Sequence, residues 1–228
     1  MRGDGVHPMG AGDWYRNKSW NDDIAAAYFA KLKRARRRSE YLRVQAYYLV
    51  DDFPLAALDL IDRYFSERRD GNPDVMDSSV YGSKARALLS LGRDAEALEA
   101  LESALQREKD FPHSISESHV DYAQFVTKRR MVDRYDYLMD ILDGYESGYI
   151  FPIQFYRLWG YRSIIFYDLG IVSEALRCAR EALKYAEMDN SGLRYHPDLG
   201  LVGTPGGFLG ERLASILTSE SSRQTLKN

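Results

Sequence analysis

Apolar residues recur at helical spacing along most of the chain, in stripes cut by short polar breaks. Ile24, Ala27, Phe29 and Leu32 make the first stripe, behind Asn21, which suits an N-cap, and Asp22-Asp23, which suit a first helical turn. Tyr41 to Val50 and Leu55 to Phe65 predict a helix pair separated by Asp51-Asp52-Phe53-Pro54, with the proline in the first turn of the second helix. After a polar break from Ser66 to Asp77, Ser78 or Ser79 opens a second pair that runs to about Glu108. A third pair starts between Ser114 and Ser118 and continues over Asp133 to Asp143, where Tyr135, Leu138, Met139, Ile141 and Leu142 supply the apolar face. A fourth covers Ile153 to Leu169 and Ser173 to Met188, with Ser173 as the expected N-cap. Tyr195 to Gly207 reads as a loop apolar enough to pack back, and Phe208, Leu209, Leu213 and Ile216-Leu217 predict a short closing helix, fraying after Ser219.

Two of these pairs are copies of one another. Tyr81 to Leu105 recurs 78 residues later as Trp159 to Leu183 without a gap, matching Gly82 with Gly160, Gly92 with Gly170 and Ala97-Leu98 with Ala175-Leu176. Small residues at Ala85 and Ser163 permit close helix approach, and glycine at the turn takes a positive φ without a side-chain penalty. Polar turns near residues 52 and 130 complete the series, so the chain reads as four helix–turn–helix units about 38–40 residues apart. A unit of this size cannot bury its apolar face alone, which predicts stacking of neighbours.

This pattern resembles the tetratricopeptide-like repeat family. Tyr81, Ala85, Leu88, Gly92, Ala97, Leu101 and Ala104 follow its succession of an early aromatic, a small crossing residue, a turn glycine and spaced alanines; Trp159, Ser163, Phe166, Gly170, Ala175, Ala179 and Ala182 follow with smaller replacements. The first unit departs at Gln45 and Asp52, and the third, with His119, Ala123, Val126, Arg130, Tyr135 and Met139, is more degenerate. The resemblance implies an all-α, right-handed array of helical hairpins, a tetratricopeptide-like solenoid over residues 38–188. Residues 14–37 would form an N-terminal capping helix, with Trp14 and Trp20 closing the exposed end. Residues 1–13 would be a flexible arm, and residues 189–228 a loop and closing helix packed back.

Composition narrows the classes. The net charge is −3; residues 1–70 carry +2 and the remainder −5, which gives no support to a general nucleic-acid binder. Seventeen tyrosines and nine phenylalanines exceed what a slim core of paired helices needs, so some belong on a contact surface. A lone Cys178, with no secretory or membrane-spanning stretch, points to a cytoplasmic protein without disulfides and without a membrane role. His7, His113, His119 and His196 form no metal-ligand spacing, and Gly203 to Gly207 lacks the lysine of a phosphate loop, so neither a metal, a cofactor nor an enzyme is expected. A remote enzymatic reading rests only on His196 near Asp198.

Function is thus expected from surface. The first reading is a noncatalytic scaffold or inhibitory module, of the kind an immunity protein exemplifies, that receives a protein or peptide on a face lined by Arg43, Arg86, Arg157, Tyr161 and Tyr167. The second is a nucleic-acid binder using the basic run Lys31, Lys33, Arg34, Arg37 and Arg38, read as part of a helix. Self-association is left open by the sequence.

Overall fold

The computed structural model describes residues 13–67, 73–114 and 116–225. The flexible arm expected at the N-terminus lies almost wholly outside these residues, as does the middle of the break between the first two pairs. Ten α-helices occur among the described residues, and the chain divides into two compact units, Met1–Ser118 and His119–Asn228.

In the first unit, α1 (Asp22–Leu32) is capped by Asn21, whose side chain accepts from the Ile24 amide at 2.9 Å. The helices α2 (Arg38–Leu49) and α3 (Pro54–Ser66) pack as one pair, and α4 (Asp77–Ser90) and α5 (Asp94–Asp110) as the next, with α3 also against α4. Leu42, Gln45, Ala46 and Leu49 form the inward row of α2, spaced by three and four residues; Ala57, Leu60, Ile61 and Tyr64 answer from α3. Each fully buried leucine or isoleucine in this core contributes roughly 1.5–3 kcal/mol.

Gln45 sits where a small crossing residue was expected, and its burial has a specific cause. Its carbonyl oxygen accepts from the backbone and side-chain amides of Asn17 at 3.0 and 2.8 Å, while its own amide donates to the Asn17 carbonyl at 2.8 Å. Both the oxygen and the nitrogen of the Gln45 amide are thereby paired, so its full burial is tolerated. The segment it pins carries Trp14, whose ring lies 5.4 Å from Tyr28 and 4.9 Å from Tyr41, and Trp20, 5.5 Å from Tyr28. The two tryptophans thus pack onto the first helices of their unit.

Where the chain leaves α5, one carboxylate gathers the backbone. Glu108 is 3% exposed, and its Oε1 accepts from the amides of Ser116 and Ser118 at 2.9 and 3.1 Å and from the Ser116 hydroxyl at 2.7 Å. Ser78 of α4 closes the cluster, 3.3 Å from the same oxygen and 3.0 Å from the Ala104 carbonyl. Glu108 therefore caps, from another helix, the start of α6 (Ser118–Lys128).

In the second unit a 3₁₀ turn (Val132–Arg134) leads into α7 (Tyr135–Glu146), followed by α8 (Pro152–Asp168), α9 (Val172–Ala186) and α10 (Gly207–Thr225). Tyr122 of α6 meets Tyr137 of α7 at 5.9 Å, and His119 stacks on Tyr145 at 3.9 Å; the two contacts bracket the turn, as in an antiparallel pair. The pair α8–α9 is the counterpart of α4–α5. Ser173, expected as its N-cap, is inside α9; the helix starts at Val172, and Ile171 at the cap position has no side-chain acceptor to offer. The tail does pack back: α10 lies against α8 and α9, buries Leu209, Leu213 and Ile216, and stays helical to Thr225, beyond the expected fraying point.

Three of the four turns share one geometry. The amides of Gly92 and Arg93 donate to Leu89 and Leu88 at 3.1 and 2.9 Å; those of Gly170 and Ile171 donate to Tyr167 and Phe166 at 3.0 and 2.8 Å; and those of Arg130 and Met131 donate to Thr127 and Val126 at 3.2 and 3.0 Å. This is the Schellman closure, which needs a left-handed residue at its centre. Gly92 and Gly170 supply it at φ +71° and +79°, whereas in the degenerate unit Arg130 is forced to +51°.

A testable asymmetry follows. Arg130→Gly removes roughly 1–2 kcal/mol of left-handed strain, adds about 0.5–1 kcal/mol of backbone entropy loss and gives up the 3.6 Å contact of its largely exposed side chain with Asp168, worth roughly 0.2–0.5 kcal/mol, so it is expected to leave stability level or raise it by up to about 1 kcal/mol. Gly92→Ala and Gly170→Ala are expected to lower it by ~1 kcal/mol each. Urea unfolding midpoints measure all three on one scale.

Candidate functional site

The inward row of α2 leaves the other side of that helix to present Tyr47, whose ring is 57% exposed. Arg43 lies one turn earlier in the same i, i+4 row, half-buried, and Asp51 continues that row just past the helix end. On α4, Val80, Ala85, Ala87 and Leu88 face the core and Arg86 points away from it. One guanidinium nitrogen of Arg86 lies 2.8 and 2.7 Å from the two Asp51 oxygens, and its guanidinium carbon is 5.8 Å from the Tyr47 ring centre. Tyr48 stands edge-on to Tyr47 at 5.7 Å.

This cluster spans the first helices of two successive pairs, α2 and α4, which touch one another. An exposed ion pair contributes at most about 1 kcal/mol to folding, and an exposed tyrosine ring contributes little. What the arrangement does is hold an arginine fork beside an open aromatic face, the residue types that dominate protein contacts.

The other three residues expected on the receiving face belong to the second unit, and two of them serve a different purpose. Tyr161 is only 2% exposed and is part of the core of α8; burial pushes its phenol well above the usual range, with the nearby Arg157 charge pulling the other way. It offers no contact surface. The cause is helical phase: one residue of register rotates a side chain by about 100°, enough to turn an expected outward position inward. Tyr167 is half-buried under the Arg212 guanidinium of α10, 5.8 Å from its ring centre, so it lines the seat of the tail. Arg157 is half-buried on α8.

Asp168 completes that seat. Its side chain is 2% exposed, accepts from Arg212 at 3.0 Å and from the Tyr135 hydroxyl at 2.8 Å, and lies 3.6 Å from Arg130. Burial, then the Asp168 hydrogen bond, raises the Tyr135 phenol above its ordinary value, so this hydroxyl stays protonated and donating. Arg162 of α8 bridges to Asp143 and Glu146 of α7 in the same way, tying two helices together. These are carboxylates and arginines spent on structure.

The basic run is not a helix. α1 ends at Leu32 and α2 begins at Arg38, and the intervening residues form a turn. Like charges at positions 31, 34 and 38 and at 33 and 37 would stack on a continuous helix, which disfavours it. Arg38 forks onto Glu67 at 2.9 and 2.5 Å, and Arg37 reaches Glu40 at 3.4 Å, whereas Lys31, Lys33 and Arg34 are exposed.

Little else in the described residues suggests chemistry. No group of three His, Cys, Asp or Glu side chains is placed to hold a metal among them, and none of the helices there is long and apolar enough to cross a membrane. His119 is buried in its aromatic stack, His113 and His196 are exposed, and Cys178 is fully buried, which pushes its thiol pKa up. Tyr47 was not among the residues singled out from sequence; the available signal was its position off the Leu42–Ala46–Leu49 row.

Comparison with protein-family models, with curated proteins and with solved structures yields no match for the chain.

Proposed function

We propose that the chain is a noncatalytic binding module that receives another protein on the α2–α4 face of its first unit, in the manner of a tetratricopeptide-like array. The observation that carries this reading is the cluster of Tyr47, Arg86 and Asp51: a large exposed ring with an arginine held across it, on first helices of adjacent pairs, where its contribution to folding is small. Supporting it, three of the four turns share one geometry, as expected of repeated hairpins whose use is surface. Arg43 extends the face by one turn. Arg157, half-buried on the other unit, lies outside this face, as do Tyr161 and Tyr167.

Tyr47→Ala combined with Arg86→Ala tests the reading, using a partner captured with the full chain and then purified. Hot-spot truncation costs at least ~2 kcal/mol, so affinity is expected to fall by about thirty-fold or more while the circular dichroism spectrum and melting temperature stay close to those of the parent. Unchanged affinity in the folded variant would remove the face from the account.

A further inference from the structure

We propose that the elbow between α1 and α2 binds a short acidic segment of a protein partner, a proposal that rests on the protein-binding reading and names the chemistry of its second contact. The elbow is a built turn. Lys33 N–H donates to the Phe29 carbonyl at 3.0 Å, Arg34 N–H to Lys31 at 3.1 Å and Ala35 N–H to Leu32 at 3.0 Å, with Leu32 buried to 2% and Ala35 half-buried as its inward anchors. The residues between and beside those anchors, Lys31, Lys33, Arg34 and Arg36, all face solvent.

These four cations are unmatched, while their neighbours are not. Glu67 is taken by Arg38, Glu40 by Arg37 and Asp59 by Arg63; among the described residues no carboxylate pairs with Lys31, Lys33, Arg34 or Arg36. A chain of net charge −3 thus carries, in six consecutive positions, a concentrated positive site that the acids among the described residues leave open. Holding like charges together on an ordered turn costs energy, and an incoming run of carboxylates relieves it. Two of the four are arginines, whose planar forks match carboxylates in paired hydrogen bonds.

A nucleic acid fits less well, for two reasons. Single strands are held by stacking bases on open aromatic faces as well as by phosphate contacts, yet the rings beside the elbow are engaged: Phe29 lies under Arg63 at 4.6 Å, and Tyr28 is packed by Trp14 and Trp20. Exposed Asp22 and Asp23 also share α1 with Lys31, an acidic pair that a longer polyanion extending along that helix would meet and a short acidic peptide would not.

The test uses fluorescence anisotropy with the full chain and two labelled probes, a peptide of alternating Glu and Ser and a single-stranded oligouridylate of equal charge. The comparison protein is the quadruple variant K31Q/K33Q/R34Q/R36Q, whose changes are on exposed side chains. The peptide is expected to bind more tightly than the RNA and to weaken with added salt, and the variant, with several charge pairs lost at once, should bind it on the order of ten-fold or more weakly. Equal peptide binding by the two proteins, no measurable binding, or tighter binding of the RNA would overturn the proposal. The Tyr47→Ala/Arg86→Ala protein separates this from the wider reading: if it loses its purified partner while the quadruple variant does not, the α2–α4 face stands and the elbow falls.

Discussion

Replacing Glu108 with alanine is expected to destabilise the protein by roughly 2–4 kcal/mol, because each buried donor left without an acceptor costs about 1–3 kcal/mol. The amides of Ser116 and Ser118 lose their partner together, and the hydroxyls of Ser78 and Ser116 lose a charged acceptor at the same time. The expected consequence is local as well as global. The start of α6 is capped from α5, so hydrogen exchange of the amides from 116 to 122 should accelerate more than exchange within α2 or α3. Glu108→Gln keeps one carbonyl oxygen in place and should recover part of the loss. A fully stable alanine variant, or one whose exchange accelerates uniformly, would show that the cluster does not hold this junction. The measurement is urea unfolding of parent, alanine and glutamine variants, with exchange read by mass spectrometry.

Gly200→Ala is the second large effect. Gly200 has φ +73°, where an L-residue costs about 1–2 kcal/mol, and a Cβ built there would lie 2.5–2.6 Å from Cδ1, Cβ and Cγ of Phe151. Those atoms are not the free end of a flexible chain, so the neighbour cannot simply swing away; overpacking of this kind adds a further ~1–3 kcal/mol. The same backbone point anchors the tail, since the Gly200 carbonyl accepts from the Ile153 amide at 2.9 Å at the start of α8. The variant should therefore lose about 2–5 kcal/mol, and its 189–206 segment should become a preferred site of limited proteolysis. Gly203→Ala, at φ +67° with open space around it, should pay only the conformational part. Equal losses at the two glycines would mean that Phe151 is not a wall.

Much of the architecture could be read from spacing, because hairpin turns leave a chemical trace. Gly92 and Gly170 announce their turns, and the turn at Arg130 was placed by its distance from them although an arginine in the left-handed region carries no local signal. Burial across long separations was not legible. Gln45 stood out as a departure from the repeat, but nothing near it in sequence indicates that Asn17, 28 residues earlier, fills the space. Glu108 is one acid among many until the fold places Ser78, Ser116 and Ser118 around it. The expected receiving face suffered most: Tyr161 turned inward with a small error of helical phase, and Tyr167 is covered by a tail whose path no periodicity encodes. The basic run is plain in the sequence, but neither its break between α1 and α2 nor the pairing of Arg37 and Arg38 with Glu40 and Glu67, which decides the cations left over, has a local signal.

The arginines and carboxylates therefore divide by surroundings rather than by type. Arg162 and Arg212 fasten helices within the second unit, Arg38 and Arg63 neutralise acids beside the elbow, and Arg86, held by Asp51, stands over a widely exposed tyrosine ring on adjacent first helices. That setting is why the proposed binding face is placed on α2 and α4.

Hydrogen exchange of the full chain with and without its purified protein partner tests this assignment most directly. Added protection concentrated in residues 43–51 and 79–90 is the predicted result. Protection confined to α8, α9 or α10, with those two segments exchanging as in the free protein, would contradict it.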